Sequence, residues 1–382
     1  MYPVSVDHPG NRGILNKMEY QRSTFSKLTG PVDVICNSIR GPLVNGDLAG
    51  RYPITGRGFN SLNHYALFYA HVTRLARRRN YDFLYIRYPF AIPGFLGFLR
   101  RAKGANPSSK VIVEIATFPY LHELQTPKQR ILGLLDHLGH DRLKKHVDAI
   151  VTFYGQSEIY GIPCIQSRNG VDVQRLPLRR RRQSADELAM ITVGNLAERH
   201  GIDRVLCGMA LYVRQPDSRR VTLHVVGDGP ALPDLVTLAA KLGIEEHVRF
   251  HGMKSGTDLD AAFEDADIAL DSLGLHRLHL PSSSSLKARE YCARGIPFVL
   301  ASHDPDFPPE LPFVLHVPST DDPLDISTMV EFSAEVQKKH PTNNRDMRSY
   351  AGKRLTWEAK LEPLAQFLEA ELNGGGIEEL VR

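Results

Sequence analysis

Short apolar runs alternate with amphipathic helical stretches along the whole chain of 382 residues. Apolar runs without strict polar alternation are typical of strands that are buried on both faces of a parallel sheet. Such runs predict strands in two sets, at 2–6, 32–36, 83–86, 111–116, 148–153 and 162–167, and then at 189–194, 222–227, 248–252, 267–272 and 297–302. Because helical stretches separate the runs, the pattern predicts an α/β protein with two doubly wound domains.

The stretch between the two sets, "DVQRLPLRRRRQSADE", contains proline, is highly charged and lacks any periodicity. We therefore predict an N-terminal domain over 1–172, a linker over 173–188 and a second domain over 189–355. The remaining segment, 356–382, predicts an amphipathic helix that can return to the first domain and a loose tail after its glycines.

The composition adds a broad class to this picture. With 42% hydrophobic and 24% charged residues the chain is typical of soluble globular proteins, and its length favours two cores over one. The longest apolar runs are too short and too broken by proline and glycine to span a bilayer, and the N-terminus does not resemble a signal peptide. Four scattered cysteines suit a reducing compartment. We therefore expect a cytoplasmic protein.

The charge is distributed unevenly between the two halves. Residues 1–183 carry 27 Lys and Arg against 12 Asp and Glu, whereas residues 184–382 carry 20 against 31. A basic half attracts nucleic acid, an anionic membrane surface or an anionic substrate. No nucleic-acid motif accompanies it, so we expect no nucleic-acid partner. The basic runs at 74–79 and 179–182 are typical of solvated surface, but they also suit a peripheral position on the inner face of a membrane.

The segment "SSSSLKAREYCARGIPFVLAS" predicts an anion-binding helix start. Serines at a turn precede a helix over 286–294, which Gly295 ends, and Pro297 prevents its continuation. Free backbone N–H groups near Ser284 and Ser285, together with the helix dipole, favour a phosphate there.

Lys287 and Glu290 lie three residues apart and share a face of that helix. A lysine can neutralise phosphate oxygens, and a carboxylate can accept hydrogen bonds from both hydroxyls of a ribose. The alternative is an ordinary capped surface helix in which Lys287 and Glu290 pair with each other.

Three further strand-to-helix loops have the composition of anion-binding turns. "VGNLAERHGIDRVL" (193–206) places Arg199 and His200 before a helix, where a cation can meet phosphate oxygens, and Arg204 is a further candidate. "VVGDGPAL" (225–232) and "HPGNRGILNK" (8–17) supply glycines that let a backbone approach a ligand closely. A plain loop or tight turn explains each of these stretches as well.

Eight stretches in order carry a resemblance: "GNRGI", "SRNGVD", "VGNLAERHGIDR", "VVGDGP", "VRFHG", "ADIALDS", "LKAREYCARGIPFVLAS" and a late helix with Trp357. The chain resembles the GT-B retaining glycosyltransferases of family four, above all bacterial enzymes that build capsule, exopolysaccharide or lipopolysaccharide. The resemblance is strongest over 165–302. It implies the GT-B fold, in which two Rossmann-like domains face a cleft.

The resemblance also implies the partners. The second domain is expected to bind a nucleoside-diphosphate sugar, a UDP- or GDP-sugar, and the first domain a glycan or lipid-linked acceptor. Of the family's two glutamates eight residues apart, the second matches Glu290, expected on the ribose, and the first position holds Ser282. Ser282 and Ser283 are therefore expected beside the donor sugar, and this departure leaves its identity open.

The family's arginine and lysine against the diphosphate match Asn195 and His200, so the charge is expected from Arg199, His200 or Lys287. The acceptor-side histidine of the family is matched, more loosely, by His122. The resemblance thus implies catalytic roles for His122, Lys287 and Arg199. Donor-nucleotide contacts are expected from Gly13, Asn195, His200, Asp228, Gly229, Gly252, Ser284, Ser285, Leu286 and Glu290.

No metal and no cofactor are expected. The "DAD" at 265–267 leads into an apolar strand, and His137 and His140 lack a third ligand at zinc spacing. Two alternatives to a transferase stay open at this point. One is a sugar-nucleotide epimerase of the same fold, and the other is a non-catalytic nucleotide-sugar-binding protein.

Overall fold

The computed structural model describes residues 1–7, 12–52, 61–120, 126–153, 155–180, 187–280 and 282–372. The chain divides into two units, of which the first is Met1–Arg168 with Leu361–Arg382 and the second is Asn169–Lys360. Each unit is built from parallel strands with intervening helices. The expected α/β class with two such domains is therefore confirmed.

The first unit contains two sheets. Its strands are β1 Tyr2–Ser5, β2 Ile35–Asn37, β3 Leu43–Val44, β4 Asp47–Leu48, β5 Phe83–Arg87, β6 Lys110–Ile115, β7 Ala149–Thr152, β8 Glu158–Ile159 and β9 Ile162–Gln166. The orders are β1-β2-β3-β4 and β5-β6-β7-β9-β8. The pairs β2–β3, β3–β4 and β8–β9 are antiparallel and the others are parallel.

Five helices precede or cover these strands: α1 Arg12–Thr29, α2 Ser61–Arg79, α3 Pro93–Ala105, α4 Pro127–His137 and α5 His140–Leu143. The core on one side of β5, β6 and β7 includes the fully buried Phe68, Phe95 and Leu99. These aliphatic and aromatic side chains explain why the strands read as uninterrupted apolar runs, since neither face of such a strand meets water.

The second unit holds one six-stranded parallel sheet. Its strands are β10 Glu187–Val193, β11 Arg220–Val226, β12 Val248–Gly252, β13 Ile268–Leu270, β14 Phe298–Leu300 and β15 Val314–His316. Its helices are α6 Ile202–Tyr212, α7 Leu232–Leu242, α8 Thr257–Glu264, α9 Leu286–Arg294, α10 Ile326–Lys339 and α11 Asn343–Arg354. Short 3₁₀ helices lie at Val173–Arg175, Glu198–His200, Glu245–His247 and Leu275–Leu278.

The last helix, α12 Trp357–Leu372, starts in the second unit and ends in the first. Trp357 is buried beside Gly170, where an added Cβ would lie 2.7 Å from the tryptophan backbone. Further along, Leu364 and Phe367 join a core with Phe25 of α1. The hydrophobic periodicity of this helix therefore reports burial, and Pro363 is accommodated within its second turn.

The strand order in the sheet of the second unit is β12-β11-β10-β13-β14-β15. Chain progression reverses between β10 and β13, because the strands after β10 first extend the sheet on one side and then on the other. In open parallel sheets the carboxyl ends of the two strands at such a reversal leave a crevice in which ligands bind. The loops after β10 and β13 are thus the first place to look for a site.

The four strands that the sequence pattern missed, β3, β4, β8 and β15, are two or three residues long. Runs that short carry no periodicity, and all four of these strands are antiparallel additions or sheet edges. In the parts of the chain that the structure describes, no helix combines the length and apolar character needed to cross a bilayer.

Candidate functional site

The loops that follow β10, β11 and β12 pack directly on one another. The N–H of Leu196 donates to the carbonyl of Asp228 at 2.8 Å, and the N–H of Gly227 donates to the carbonyl of Gly252 at 2.8 Å. The carboxyl ends of three neighbouring strands therefore form one continuous backbone surface. Asn195 and Asp228, both expected at the nucleotide, are exposed on it.

Glycine is required at two positions of this surface. Gly227 has φ +133°, and a Cβ added there would lie 1.9 Å from the carbonyl oxygen of Gly194. Gly229 has φ +157°, and a Cβ there would lie 2.3 Å from the carbonyl oxygen of Leu196. Any side chain would push the two loops apart, so "VVGDG" is a close-approach turn.

Helix α9 begins beside this surface and has the predicted limits. Its N-cap is Ser285, whose Oγ accepts a hydrogen bond from the N–H of Lys287 at 3.1 Å, and Gly295 ends it in the left-handed conformation with φ 72°. The N–H groups of Ser284, Ser285 and Leu286 have no acceptor among the described residues. The predicted helix start with free amides is therefore present.

Lys287 and Asp271 are the charged groups at this helix start. The Lys287 Nζ lies 3.7 Å from Asp271 Oδ1, which also accepts a hydrogen bond from Ser285 Oγ at 2.6 Å. Within the described residues neither Lys287 Nζ nor Asp271 Oδ2 has a hydrogen-bond partner, although both atoms are buried. Burial lowers the pKa of Lys287, and the Asp271 carboxylate opposes that shift.

Glu290 does not pair with Lys287. Its Oε1 accepts a hydrogen bond from Arg294 Nε at 2.8 Å, and Arg294 also contacts Asp260 at 2.7 Å. The alternative interpretation of α9, a surface helix with a Lys287–Glu290 pair, is therefore wrong. Arg294 fixes the Glu290 carboxylate, which is about one-third exposed (30%), on the solvent side of the helix.

His200 ends the 3₁₀ helix after β10 and is buried. Its Nδ1 accepts a hydrogen bond from the N–H of Ala197 at 3.1 Å, which assigns the ring proton to Nε2. Burial, with smaller contributions from Lys287 and Arg199, lowers the pKa of His200 to about 2. The expectation that His200 supplies positive charge is therefore wrong, because the ring is neutral and offers one N–H donor.

The segment around His200 is tied to the loop after β13. The N–H of Leu273 donates to the carbonyl of His200 at 3.0 Å, and the N–H of Gly274 donates to that of Arg199 at 3.1 Å. Arg204 is buried and donates to three backbone carbonyls, those of Leu273, Pro318 and Asp322. Arg204 is thus a structural residue, neither a phosphate ligand nor a solvated one, whereas Arg199 is half-buried at the loop.

The serine turn before α9 is held on both sides. The N–H of the buried Ser283 donates to the carbonyl of His303 at 2.8 Å, and Ser282 forms a bridge to the same residue. Ser284 Oγ accepts from the N–H of Asn169 at 2.9 Å, and the Asn169 side chain donates back to the Ser284 carbonyl. The turn is therefore preformed, and Leu286 at its end is exposed.

A buried charge cluster beside the start of α9 was not predicted from the sequence. Arg289 is fully buried in α9 and donates to the carboxylates of Asp304 and Asp306 as well as to the carbonyl of Ser285. Lys360 completes the cluster at 2.6 Å from Asp306 Oδ1. The available signal was the "HDPDF" after β14, two acidic residues on a loop beside the helix start.

Two expected residues belong to the first unit. Gly13 is in the first turn of α1, in the first unit. His122 lies outside the described residues.

Of the basic run at 179–182, Arg179 is buried and donates to the carbonyl of Ala266, so it is not a solvated residue. The carboxylate of Asp267 in "DAD" accepts from the N–H of Ala189 at 2.9 Å, which gives it a structural role. Among the described residues no group of three or more potential ligands is placed to hold a metal.

Comparisons with known proteins bear on these loops and on the fold. Residues 177–308 match the family model of glycosyl transferases group 1. That segment contains the loops after β10, β11, β12 and β13, and Asp304 and Asp306 of the loop after β14. No curated protein gives a significant sequence match.

Solved structures match over nearly the whole chain. Anabaena HepE in complex with UDP and glucose has 15% identity and a TM-score of 0.60, covering 97% of this chain and 98% of that one. A glycosyltransferase from Rickettsia africae has 10% identity and a TM-score of 0.66, covering 98% of each. The lipopolysaccharide outer core galactosyltransferase WaaB has 12% identity and a TM-score of 0.56, covering 98% and 99%.

The fold is GT-B. At these identities the likeness establishes the architecture alone, and the expected fold class is confirmed by it. Within the matched segment 177–308 of this GT-B chain, four residues meet where the strand order of the second unit's sheet reverses. They are His200, Asp271, Ser285 and Lys287.

Proposed function

We propose that the chain is a retaining glycosyltransferase that moves a sugar from a nucleoside-diphosphate sugar to a glycan or lipid-linked acceptor in the synthesis of a cell-surface polysaccharide. The glycosyl transferases group 1 match over 177–308 and the GT-B fold support the reaction class. The resemblance over 165–302 described above supports retention of configuration, independence from metals and the family-four assignment.

One observation carries the donor site. The buried ammonium of Lys287 has no hydrogen-bond partner among the described residues, and it lies at the start of a helix whose first N–H groups are also free. Unpaired buried polar groups are costly and therefore rare in folded proteins. A diphosphate is the ligand that satisfies a buried cation and several helix-start amides at once.

The proposed contacts follow from this placement. Arg199 and Lys287 supply positive charge to the diphosphate, the N–H groups of 284–286 donate to its oxygens, and neutral His200 donates from Nε2. The second oxygen of Glu290, which has no partner among the described residues, accepts from the ribose hydroxyls. The remaining proposed donor contacts are Asn195, Asp228, Gly229 and Gly252 at the nucleotide and Ser282 and Ser283 at the sugar.

The reaction breaks the bond between the sugar C1 and the diphosphate and forms a bond from an acceptor hydroxyl oxygen to the same face of C1. The acceptor proton passes to the departing phosphate, so no general base is assigned on the protein. Negative charge grows on the diphosphate as it leaves. Preorganised N–H groups and Lys287 stabilise that charge without reorganising at the moment of reaction.

The acceptor side belongs to the first unit in this proposal. From the resemblance, we propose that Gly13 serves the donor phosphates and that His122 acts on the acceptor side. We place the enzyme on the cytoplasmic side of a membrane, where nucleotide sugars are made.

A thermal-shift panel tests the donor site before any acceptor is known. UDP, GDP, ADP and the corresponding hexose derivatives are added in excess, and a ligand of the folded state stabilises it by about 2.7 kcal/mol at a hundredfold excess over Kd. HepE was crystallised with UDP and glucose, which makes UDP-hexoses the first compounds to test. We expect one nucleotide series to raise the Tm; no shift with any nucleotide would refute the proposal.

Product analysis then separates the transferase from an epimerase of the same fold. The selected donor is incubated with a glycan or a polyprenyl-phosphate sugar as acceptor. A transferase then forms a new glycoside, and it releases the nucleoside diphosphate quickly only when the acceptor is present. Conversion of the donor to its epimer without an acceptor would refute the transferase.

A further inference from the structure

Helix α4 carries a row of large aliphatic side chains on its outer face. Ile131, Leu134, Leu135 and Leu138 are 62, 61, 41 and 68% exposed. Their spacing of i, i+3, i+4 and i+7 places them on one stripe of the helix. Single exposed aliphatic residues are ordinary, but four in eight residues form a patch that soluble proteins usually cover. We call these four residues the α4 stripe.

The helix that presents the stripe is firmly held in its own unit. Thr126 and Gln129 form a capping box at its start. Near its end the buried Asp136 carboxylate accepts hydrogen bonds from Tyr88, Tyr120 and the N–H of Ala91. The helix therefore cannot rotate about its axis to bury the α4 stripe, because rotation would break the hydrogen bonds of Asp136.

Positive charge flanks the stripe. Arg130 precedes it, and Arg142, Lys144 and Lys145 follow it on and after α5, all of them exposed. Asp141 is the one exposed carboxylate in residues 126–146. The first half of the chain, residues 1–183, has a net charge of +15. An aliphatic row bordered by Lys and Arg has the chemistry of a helix that lies in the interface of an anionic bilayer.

We propose that the α4 stripe and its flanking basic residues dock the protein on an anionic lipid surface. The aliphatic side chains enter the boundary between headgroups and acyl chains, and Arg130, Arg142, Lys144 and Lys145 contact lipid phosphates. The α4 stripe consists of aliphatic side chains alone, with no aromatic or hydrogen-bonding residue among its four members. Such a surface suits disordered acyl chains better than the shaped pocket of a protein partner. The surface differs from the basic runs at 74–79 and 179–182, and it does not depend on the proposed transfer reaction.

Vesicle co-sedimentation without any nucleotide tests the proposal. The wild type is mixed with vesicles of phosphatidylcholine alone or of phosphatidylcholine with phosphatidylglycerol. We expect binding to the second kind only, and a partition coefficient at least about tenfold lower for Leu134→Gln/Leu138→Gln, because two leucines no longer enter the bilayer. Leu211→Gln is the matched control, since Leu211 is 57% exposed on α6 of the other unit.

The electrostatic part has its own pair of variants. Arg142→Gln/Lys145→Gln should weaken binding to the anionic vesicles about tenfold or more, at about 1 kcal/mol per basic residue near the surface. Arg74→Gln/Arg78→Gln on α2 should leave it unchanged. Unaltered melting temperatures of all variants show that the fold is kept.

Three results would overturn the proposal. The wild type does not sediment with anionic vesicles, or the two α4 leucine changes leave its sedimentation unaltered. Alternatively, light scattering finds a dimer of the wild type that Leu134→Gln/Leu138→Gln converts to a monomer, which would assign the stripe to a second copy of the chain. None of these outcomes depends on nucleotide binding, so they are separate from a failure of the proposed donor site.

Discussion

Replacing Lys287 by methionine removes one positive charge and nearly keeps the volume of the side chain. In the free protein the ammonium lies 3.7 Å from the Asp271 carboxylate and lacks a hydrogen-bond partner in the described part of the chain. A diphosphate at the start of α9 supplies the missing acceptors. The change should therefore be felt mainly when the donor is bound.

The size of the effect follows from the charges around the ammonium. Two unit charges about 4 Å apart interact by about 4 kcal/mol at an effective dielectric constant of about 20. Asp271 already supplies part of that interaction in the free protein, so we expect a net loss nearer to one charged hydrogen bond, about 1.5–3 kcal/mol. At about 1.4 kcal/mol per factor of ten, the Kd of the nucleoside diphosphate rises about ten- to hundredfold.

The rate of transfer should fall further than binding, because the leaving diphosphate gains charge in the transition state. Loss of one preorganised donor of this kind typically lowers kcat by about 100- to 1,000-fold. Calorimetry with the nucleoside diphosphate gives the change in Kd, and steady-state transfer gives kcat. Lys241→Met is the matched control, since Lys241 is exposed in the last turn of α7, and it should leave both quantities unchanged.

A Lys287→Met enzyme that keeps the wild-type kcat and changes KM alone would contradict this role of Lys287. Such a result would mean that Lys287 contributes equally to the ground state and the transition state. Equal losses in Lys287→Met and Lys241→Met would assign the effect to overall charge.

Three further predictions concern the surroundings of Lys287. Burial lowers the pKa of Lys287, and the Asp271 carboxylate opposes that shift. Asp271→Asn should therefore move the alkaline limb of the pH profile of kcat to lower pH. A limb that does not move would show that it does not report the titration of Lys287. Arg289→Met removes the cation beside the buried Asp304 carboxylate and leaves Asp306 to Lys360 alone, so it should lower the free energy of unfolding in urea by about 3–5 kcal/mol. The exposed Arg249→Met should lower it by less than about 0.5 kcal/mol, and equal losses would contradict the cluster. The pKa of His200 is lowered from 6.5 to about 2 by burial, so between these values only the unfolded state takes up its proton. The free energy of unfolding should then fall as the pH drops below 6.5, by up to about 1.4 kcal/mol per pH unit, and His200→Gln should flatten that slope; a slope that His200→Gln leaves unchanged would show that His200 titrates normally.

The features that the sequence predicted well have local causes. Helix α9 begins at its serine cap and ends at Gly295 because both signals lie within a few residues of the helix. Strands β10, β11, β13 and β14 of the second unit were found because each is buried on both faces. The glycine turn at 227–229 was recognisable by its residue types, although its necessity appears only where Gly194 and Leu196 approach it.

The partners of the site residues depend on strand order, which local pattern does not contain. The partner of Lys287 is Asp271 at the end of β13, whereas sequence spacing pointed to Glu290. His200 joins them because β13 is next to β10 in the sheet. Burial likewise decided the charge of His200. Nothing near Arg289 in the sequence marks it as an ion-pair residue, because the acidic loop that compensates it follows the next strand, β14.

A crystal structure with the nucleoside diphosphate selected by the thermal-shift panel is the decisive test of a diphosphate site at the start of α9. We expect a phosphate oxygen within hydrogen-bond distance of Lys287 Nζ and of an N–H group among residues 284–286, with the ribose at Glu290. A nucleotide bound elsewhere in the protein, with Lys287 still facing Asp271 alone, would contradict it.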